Sequence, residues 1–169
     1  MRWRAGRRRP GYLLPGLDCH KNPMKIYLDV CCLNRPFDDQ AQDRIHLESE
    51  AVIAILKNIE SNRWMWISST VVLFEVNRAP SLDRRRRLFK LCDQATAIIR
   101  LDDEIHAAAR ALTEIGFKSY DALHLACAKQ AGVDVFLSTD DQLVKKATQH
   151  RAATGVTVSN PLTWLQEML

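Results

Sequence analysis

The sequence predicts a three-layer α/β/α sandwich around a central, mainly parallel sheet. Short runs such as residues 25–30 are almost continuously apolar and β-prone, as expected of strands covered on both sides. Between them lie amphipathic stretches of helical period, so strands alternate with helices along the chain. At 169 residues and 47% hydrophobic composition, the chain holds one ordinary core rather than two.

Taken in order, residues 25–30 form the first strand and Asn34, Arg35, Pro36 and Phe37 a loop. Ile45, Ser49, Val52, Leu56 and Ile59 then recur at three- and four-residue steps, the mark of a helix with one buried face. A second strand is expected at 64–67, after which Ser68 or Ser69 can cap a helix that carries Val71, Val72, Phe74 and Glu75 and stops at Pro80. Ser81 opens an arginine-rich helix, and residues 97–101 read as a short strand. Asp102 and Asp103 suit the start of a helix whose apolar face is Ile105, Ala108, Ala109, Leu112 and Ile115, closed by Gly116. The following helix begins near Ser119 and runs to Gly132, and residues 133–137 give a wholly apolar strand. A helix over 142–150, a strand at 156–159 and the helix-start pair Asn160-Pro161 complete the domain.

Charge and cysteine content narrow the class. The net charge is +4, but Arg2, Arg4, Arg7, Arg8, Arg9 and Lys21 against Asp18 concentrate it in residues 1–23, leaving the body near neutral. Pro15, Gly16 and Asp18 interrupt the apolar run that a secretory signal needs, so residues 1–23 read as a disordered basic arm or as translation from a start chosen too far upstream. The domain proper is expected over 24–169. No apolar run approaches the roughly 20 residues of a membrane span. Five cysteines, with Cys31 and Cys32 adjacent, show neither zinc-cluster nor disulfide-framework spacing, which suits a reducing cytoplasm.

Asp29 carries the most information. An ionised carboxylate at the end of Ile26-Tyr27-Leu28-Asp29-Val30 costs several kcal/mol unless something compensates it. Ligands of open α/β sheets collect outside the carboxyl ends of the strands, which is where Asp29 would stand. Asp140 follows a later apolar strand in the same way, Asp121 sits in a first helical turn, and Glu75 has apolar neighbours that favour an inward position. Each alone fits a cap or a solvated residue. Together, four carboxylates in one crevice would repel each other, so that either some are protonated or cations neutralise them, and hard oxygen ligands favour Mg²⁺ or Mn²⁺ for phosphate chemistry.

Leu28-Asp29-Val30-Cys31, Glu75, Tyr120-Asp121-Ala122-Leu123-His124-Leu125-Ala126 and Ser138-Thr139-Asp140-Asp141-Gln142-Leu143 resemble, in order, the successive motifs of the PIN-domain family. The resemblance spans 24 to about 168, and Asn34-Arg35-Pro36-Phe37-Asp38-Asp39 is similar to one bacterial branch of its VapC-like proteins. It implies a Mg²⁺- or Mn²⁺-dependent endoribonuclease, often a toxin neutralised by an antitoxin protein, with Asp29, Glu75, Asp121 and Asp140 as catalytic metal ligands. Matching Ser138-x-Asp140-x-x-Leu143 to the family's Thr/Ser-x-Asp pattern, the resemblance implies Asp140 as the ligand, with Asp141 as the fallback. The family usually has a small polar residue after its first Asp, whereas Val30 and Cys31 stand here. A catalytically silent PIN-like module that binds RNA or protein is the alternative. A phosphoryl-transfer protein is disfavoured, because Cys31 occupies the place of a dehalogenase's second Asp.

Arg35, on the loop leaving the first strand, is a candidate contact to the RNA backbone or one half of a salt bridge. Four successive residues, Arg84 to Arg87, point around a helix and read as solvated. His124 could assist proton transfer but fits a hydrogen-bonded core residue, and Cys31 and Cys32 are assigned to packing. Trp64 and Trp66 fit either the core or a subunit interface, which leaves a homodimer open.

Overall fold

The computed structural model describes residues 22–169, so most of the basic leader expected at 1–23 lies outside the described residues. Five strands form one sheet in the order β3-β2-β1-β4-β5, with every pairing parallel. They are β1 (Met24–Leu28), β2 (Trp64–Ser69), β3 (Ala97–Ile99), β4 (Val135–Leu137) and β5 (Val158–Ser159). The chain builds outward from β1 through β2 to β3, then returns to β1's other side for β4 and β5. Sheet order therefore reverses between β1 and β4, and the crevice beyond their carboxyl ends is the natural ligand position.

Nine helices connect and cover the described strands: α1 (Val30–Asn34), α2 (Asp43–Glu60), α3 (Thr70–Asn77), α4 (Leu82–Cys92), α5 (Asp103–Glu114), α6 (Ser119–Gln130), α7 (Asp141–Gln149), α8 (Arg151–Thr154) and α9 (Pro161–Met168). Short polar side chains start most of the longer ones. Ser69, Ser81, Asp102, Asp140 and Asn160 each accept a backbone N–H at the head of α3, α4, α5, α7 and α9, as their places in the sequence predict.

Because side chains alternate across a strand, Tyr27 reaches toward α6 while Ile26 and Leu28 face the opposite layer. All three are fully buried, as are Trp66, Phe136 and Leu137. Burial of each large apolar side chain contributes about 2 kcal/mol, which makes the central strands the most strongly held part of the fold. Trp64 and Trp66 belong to this core, and Trp64 packs edge-on against Trp164 of α9 with ring centroids 4.9 Å apart.

Several boundaries differ from expectation. Val30 begins α1 instead of ending β1, and the expected loop at 34–37 is helical, a 3₁₀ turn at Arg35–Phe37 continuing directly from α1. The strand expected at 97–101 ends at Ile99 because its partner β2 ends opposite, at Ser69. The strands expected at 133–137 and 156–159 shrink to β4 and β5, whose ladder joins only Phe136 with Val158 and Leu137 with Ser159. The short helix α8 was not expected; Gly155, in the left-handed region at φ 66°, closes it. No helix among the described residues is long and apolar enough to cross a membrane.

Candidate active site

Asp29 leaves the end of β1 and caps α1. Its backbone N–H extends the ladder to Leu137 at 3.0 Å, which locks it beside the end of β4. Only 8% exposed, its carboxylate is satisfied by three donors. Oδ1 accepts the Val30 N–H at 2.7 Å, and Oδ2 accepts the Ser138 hydroxyl at 2.8 Å and the Cys31 thiol at 3.2 Å. Cys31 Sγ in turn receives the Thr139 N–H at 3.2 Å. The polar support expected from a small residue after Asp29 thus comes from Ser138, across the sheet, and from Cys31, so the assignment of Cys31 to packing holds only for its buried neighbour Cys32.

Asp140, three residues beyond β4, caps α7 by accepting the Gln142 and Leu143 N–H groups on Oδ1, while its own N–H donates to Ser138 Oγ. Asp141, one residue on, points elsewhere: both its oxygens lie in the fork of Arg44, at 2.6 and 2.7 Å. The cation beside it holds the Asp141 carboxyl below the usual carboxylate range.

Asp121, in the first turn of α6, is half-buried, and its carboxyl is pushed up to about 6. Desolvation is the main cause; the charges of Asp29 and Asp140 add to it, and Lys118 and His124 oppose it. Asp29, Asp121 and Asp140 therefore share one electrostatic environment. Asp121 and Asp140 also line a small cavity of about 130 Å³ with Lys118, Gln142, Leu143 and Lys146. Lys146 is occupied there, donating to the Gly116 carbonyl and lying over the Phe117 ring.

Glu75 stands on α3, and its Oε2 lies 2.5 Å from His124 Nε2. His124 is buried, and its Nδ1 is 2.7 Å from the Tyr27 hydroxyl, which is 2.6 Å from Ser69 Oγ. An ionised carboxylate only accepts, so Nε2 carries the hydrogen; in the neutral ring Tyr27 donates to Nδ1 and Ser69 donates to Tyr27. Glu75 is thus held from the core through one oxygen. Sequence reasoning saw His124 as a possible core residue but had no signal for its link to Glu75, Tyr27 and Ser69, which are distant along the chain.

Among the described residues no three His, Cys, Asp or Glu side chains converge into a ready-made metal cage. The donor set at this crevice is nonetheless all carboxylate oxygen, with negative charge that the cations present do not balance at Asp121. Such a set fits a hard divalent cation that takes few protein ligands and completes its shell with water. Arg35 lies at the edge of the same cleft but is engaged, its Nε 2.5 Å from the buried Glu48 and its Nη1 3.4 Å from Asp38. Of the arginine run, Arg84 binds Asp38 and the Phe37 carbonyl and Arg85 reaches the Ala79 carbonyl, so these two fasten α4 to its neighbours and are not solvated as expected.

A family model described as the PIN domain matches residues 26–149. The chain belongs to the PIN-domain family. The matched span contains Asp29, Glu75, Asp121 and Asp140 and ends before β5 and α9. Among solved structures, this PIN domain is similar to a chain in the crystal structure of VapBC2 from Rickettsia felis bound to a DNA fragment from their promoter. The TM-score is 0.50 at 11% identity, over 81% of this chain and 98% of that one. It also matches the crystal structure of PAE2754 from Pyrobaculum aerophilum, with a TM-score of 0.44 at 16% identity, over 74% of this chain and 87% of that one. At such identities the likeness to the VapBC2 chain speaks for the fold alone. A sequence search of curated proteins returned no match.

Proposed function

We propose that this PIN domain is a Mg²⁺- or Mn²⁺-dependent endoribonuclease and the toxin of a toxin–antitoxin pair. The observation that carries the reading is that Asp29 and Asp140, both bonded to Ser138, and Asp121, which lines one cavity with Asp140, meet beyond the carboxyl ends of β1 and β4. Asp141 is paired with Arg44, whereas at Asp121 the charges of Asp29 and Asp140 are offset only in part by Lys118 and His124.

Asp29, Asp121 and Asp140 would hold the cation, with Glu75 contributing the oxygen that His124 leaves free, directly or through water. A bound Mg²⁺ or Mn²⁺ supplies a polarised water for in-line attack on the phosphodiester and offsets charge on the leaving oxygen. The protein's own part is preorganisation. Ser138 and the Val30 N–H fix Asp29, the α7 amides fix Asp140, and the Tyr27–His124 chain fixes Glu75, so little reorders when substrate arrives. Lys118, exposed beside Asp121, is available to the phosphate backbone, whereas Arg35 already has partners. An antitoxin protein as partner rests on the resemblance of residues 34–39 to VapC-like proteins.

Purified protein is expected to cleave single-stranded RNA with Mn²⁺ and to bind Mn²⁺ by calorimetry. Asp29→Asn is expected to fold but to lose at least about 100-fold in both cleavage rate and Mn²⁺ affinity. Undiminished cleavage by that variant overturns the catalytic assignment, and an absence of carboxylate-dependent Mn²⁺ binding identifies a silent module.

A further inference from the structure

Two exposed aromatic residues immediately precede two of the site carboxylates in the sequence. Phe74, before Glu75, is 52% exposed, and Tyr120, before Asp121, is 38% exposed. They lie on different helices, α3 and α6, yet meet with ring centroids 6.2 Å apart and planes within 20° of parallel. Arg78, one turn beyond Phe74, places its guanidinium 5.8 Å from the Phe74 ring centre and reaches the Tyr120 hydroxyl at 3.4 Å. The α3–α6 contact therefore has two levels. Inside, Glu75 meets buried His124; outside, Phe74 meets Tyr120 in solvent.

We propose that Phe74, Tyr120 and Arg78 form a stacking platform on the α3 and α6 surface, next in sequence to Glu75 and Asp121, that receives an unpaired base of the RNA strand; this rests on the ribonuclease reading above. Stacked rings left in water forgo the burial that would otherwise justify them, so the pair fits a ligand with a flat face. Arg78 adds a planar cation at the same spot, suited to stacking on a base or meeting a backbone phosphate near an otherwise acidic crevice. Arg78 offers an anionic strand a positive contact at the rings, which the carboxylates of the crevice do not. Bases in a duplex are already stacked and paired, so the platform selects single-stranded substrate.

The test compares wild type with Phe74→Ala/Tyr120→Ala, Phe74→Leu/Tyr120→Leu and Tyr120→Phe, after thermal melts establish that each folds. KM and kcat are measured with Mn²⁺ on a mixed-sequence single-stranded RNA oligonucleotide and on the same sequence as a duplex. The Ala and Leu pairs are expected to raise KM for the single strand at least about 10-fold, with kcat within about threefold and Tyr120→Phe near wild type. An unchanged KM in the Ala pair, or full retention of KM in the Leu pair, overturns the stacking role while leaving the nuclease reading intact. Failure of wild type to bind or cleave any RNA overturns both. Light scattering adds a further outcome: a wild-type dimer that becomes monomeric in the Ala pair, with KM unchanged, gives the patch to a second copy of the chain and removes the platform.

Discussion

Ser138 Oγ donates to Asp29 Oδ2 at 2.8 Å, joining the segments that leave β4 and β1 where the sheet order reverses. The same oxygen accepts the Asp140 N–H at 3.2 Å, so one buried hydroxyl registers two carboxylate residues. Ser138→Ala leaves Asp29 Oδ2 with only the weak Cys31 thiol donor. The variant is expected to lose about 1 kcal/mol in urea denaturation. Its Mn²⁺ affinity by calorimetry is expected to fall about tenfold. Stability loss with unchanged Mn²⁺ affinity would make Ser138 a structural residue only.

Asp121 reverses the usual pH dependence of a carboxylate. Its folded pKa, about 6, lies above the ordinary value of 3.8, so between those values the folded state holds the proton that the unfolded state has released. Stability from this group is present below about pH 4 and is lost as pH rises toward 6. Asp121→Asn is therefore expected to stabilise the metal-free protein at pH 8 by about 1 kcal/mol, discounted for partial solvation, and to make little difference near pH 4. Because proton and cation compete for the same oxygens, wild-type Mn²⁺ affinity is expected to fall steeply as pH drops through about 6. Denaturation curves at the two pH values and calorimetry across the range check both signs.

Strand order could not be read from periodicity, but the residues that cap and stop helices could. Ser69, Ser81, Asp102, Asp140 and Asn160 announce helix starts because a short oxygen side chain at that place satisfies an otherwise orphaned N–H, which is a local matter. The ends of β3, β4 and β5 were placed too generously because strand length is set by the partner, and sequence does not display the partner. The same division holds at the site. Asp29 and Asp140 stood out by position after apolar strands, while Ser138's reach to Asp29 and the Tyr27–His124–Glu75 chain depend on contacts between residues 49 to 109 apart. Arg35 illustrates the converse: its place beside the crevice and a salt bridge were both legible, but the partner, Glu48, was not.

The Tyr27 hydroxyl donates to His124 Nδ1, the nitrogen opposite the one that Glu75 engages, and so steadies the ring that orients Glu75. Tyr27→Phe keeps the ring stacked on Phe136, with centroids 5.1 Å apart, and removes only that hydrogen bond. A stability loss of about 1–2 kcal/mol is expected from the unpaired imidazole nitrogen. In imidazole nitrogen spectra the variant's Nδ1 should lose the shift of a hydrogen-bonded nitrogen, while Nε2, still facing the Glu75 carboxylate, keeps its hydrogen. An Nδ1 signal that does not change in the variant would show that Tyr27 does not hold the ring.

Glu48 is the buried charge on which the site's outer edge depends. It is 1% exposed, yet Arg35 at 2.5 Å, Arg44 at 2.9 Å and the Asn160 amide at 2.8 Å all donate to it. It joins the turn after α1, the start of α2 and the cap of α9, and Arg44 carries the link on to Asp141 at the head of α7. Removing one member of a buried pair typically costs 3–5 kcal/mol because the other charge is left unpaired; Arg35 is 19% and Arg44 55% exposed and can rehydrate in part, so Glu48→Ala is expected to cost about 2–3 kcal/mol. Urea denaturation measures this. Since Glu48 is bonded to none of the four candidate ligands, Mn²⁺ affinity per folded molecule should stay within about threefold of wild type. A larger fall would mean that the Glu48 cluster sets the position of Asp140 through α7, and that the outer edge and the crevice form one mechanical unit.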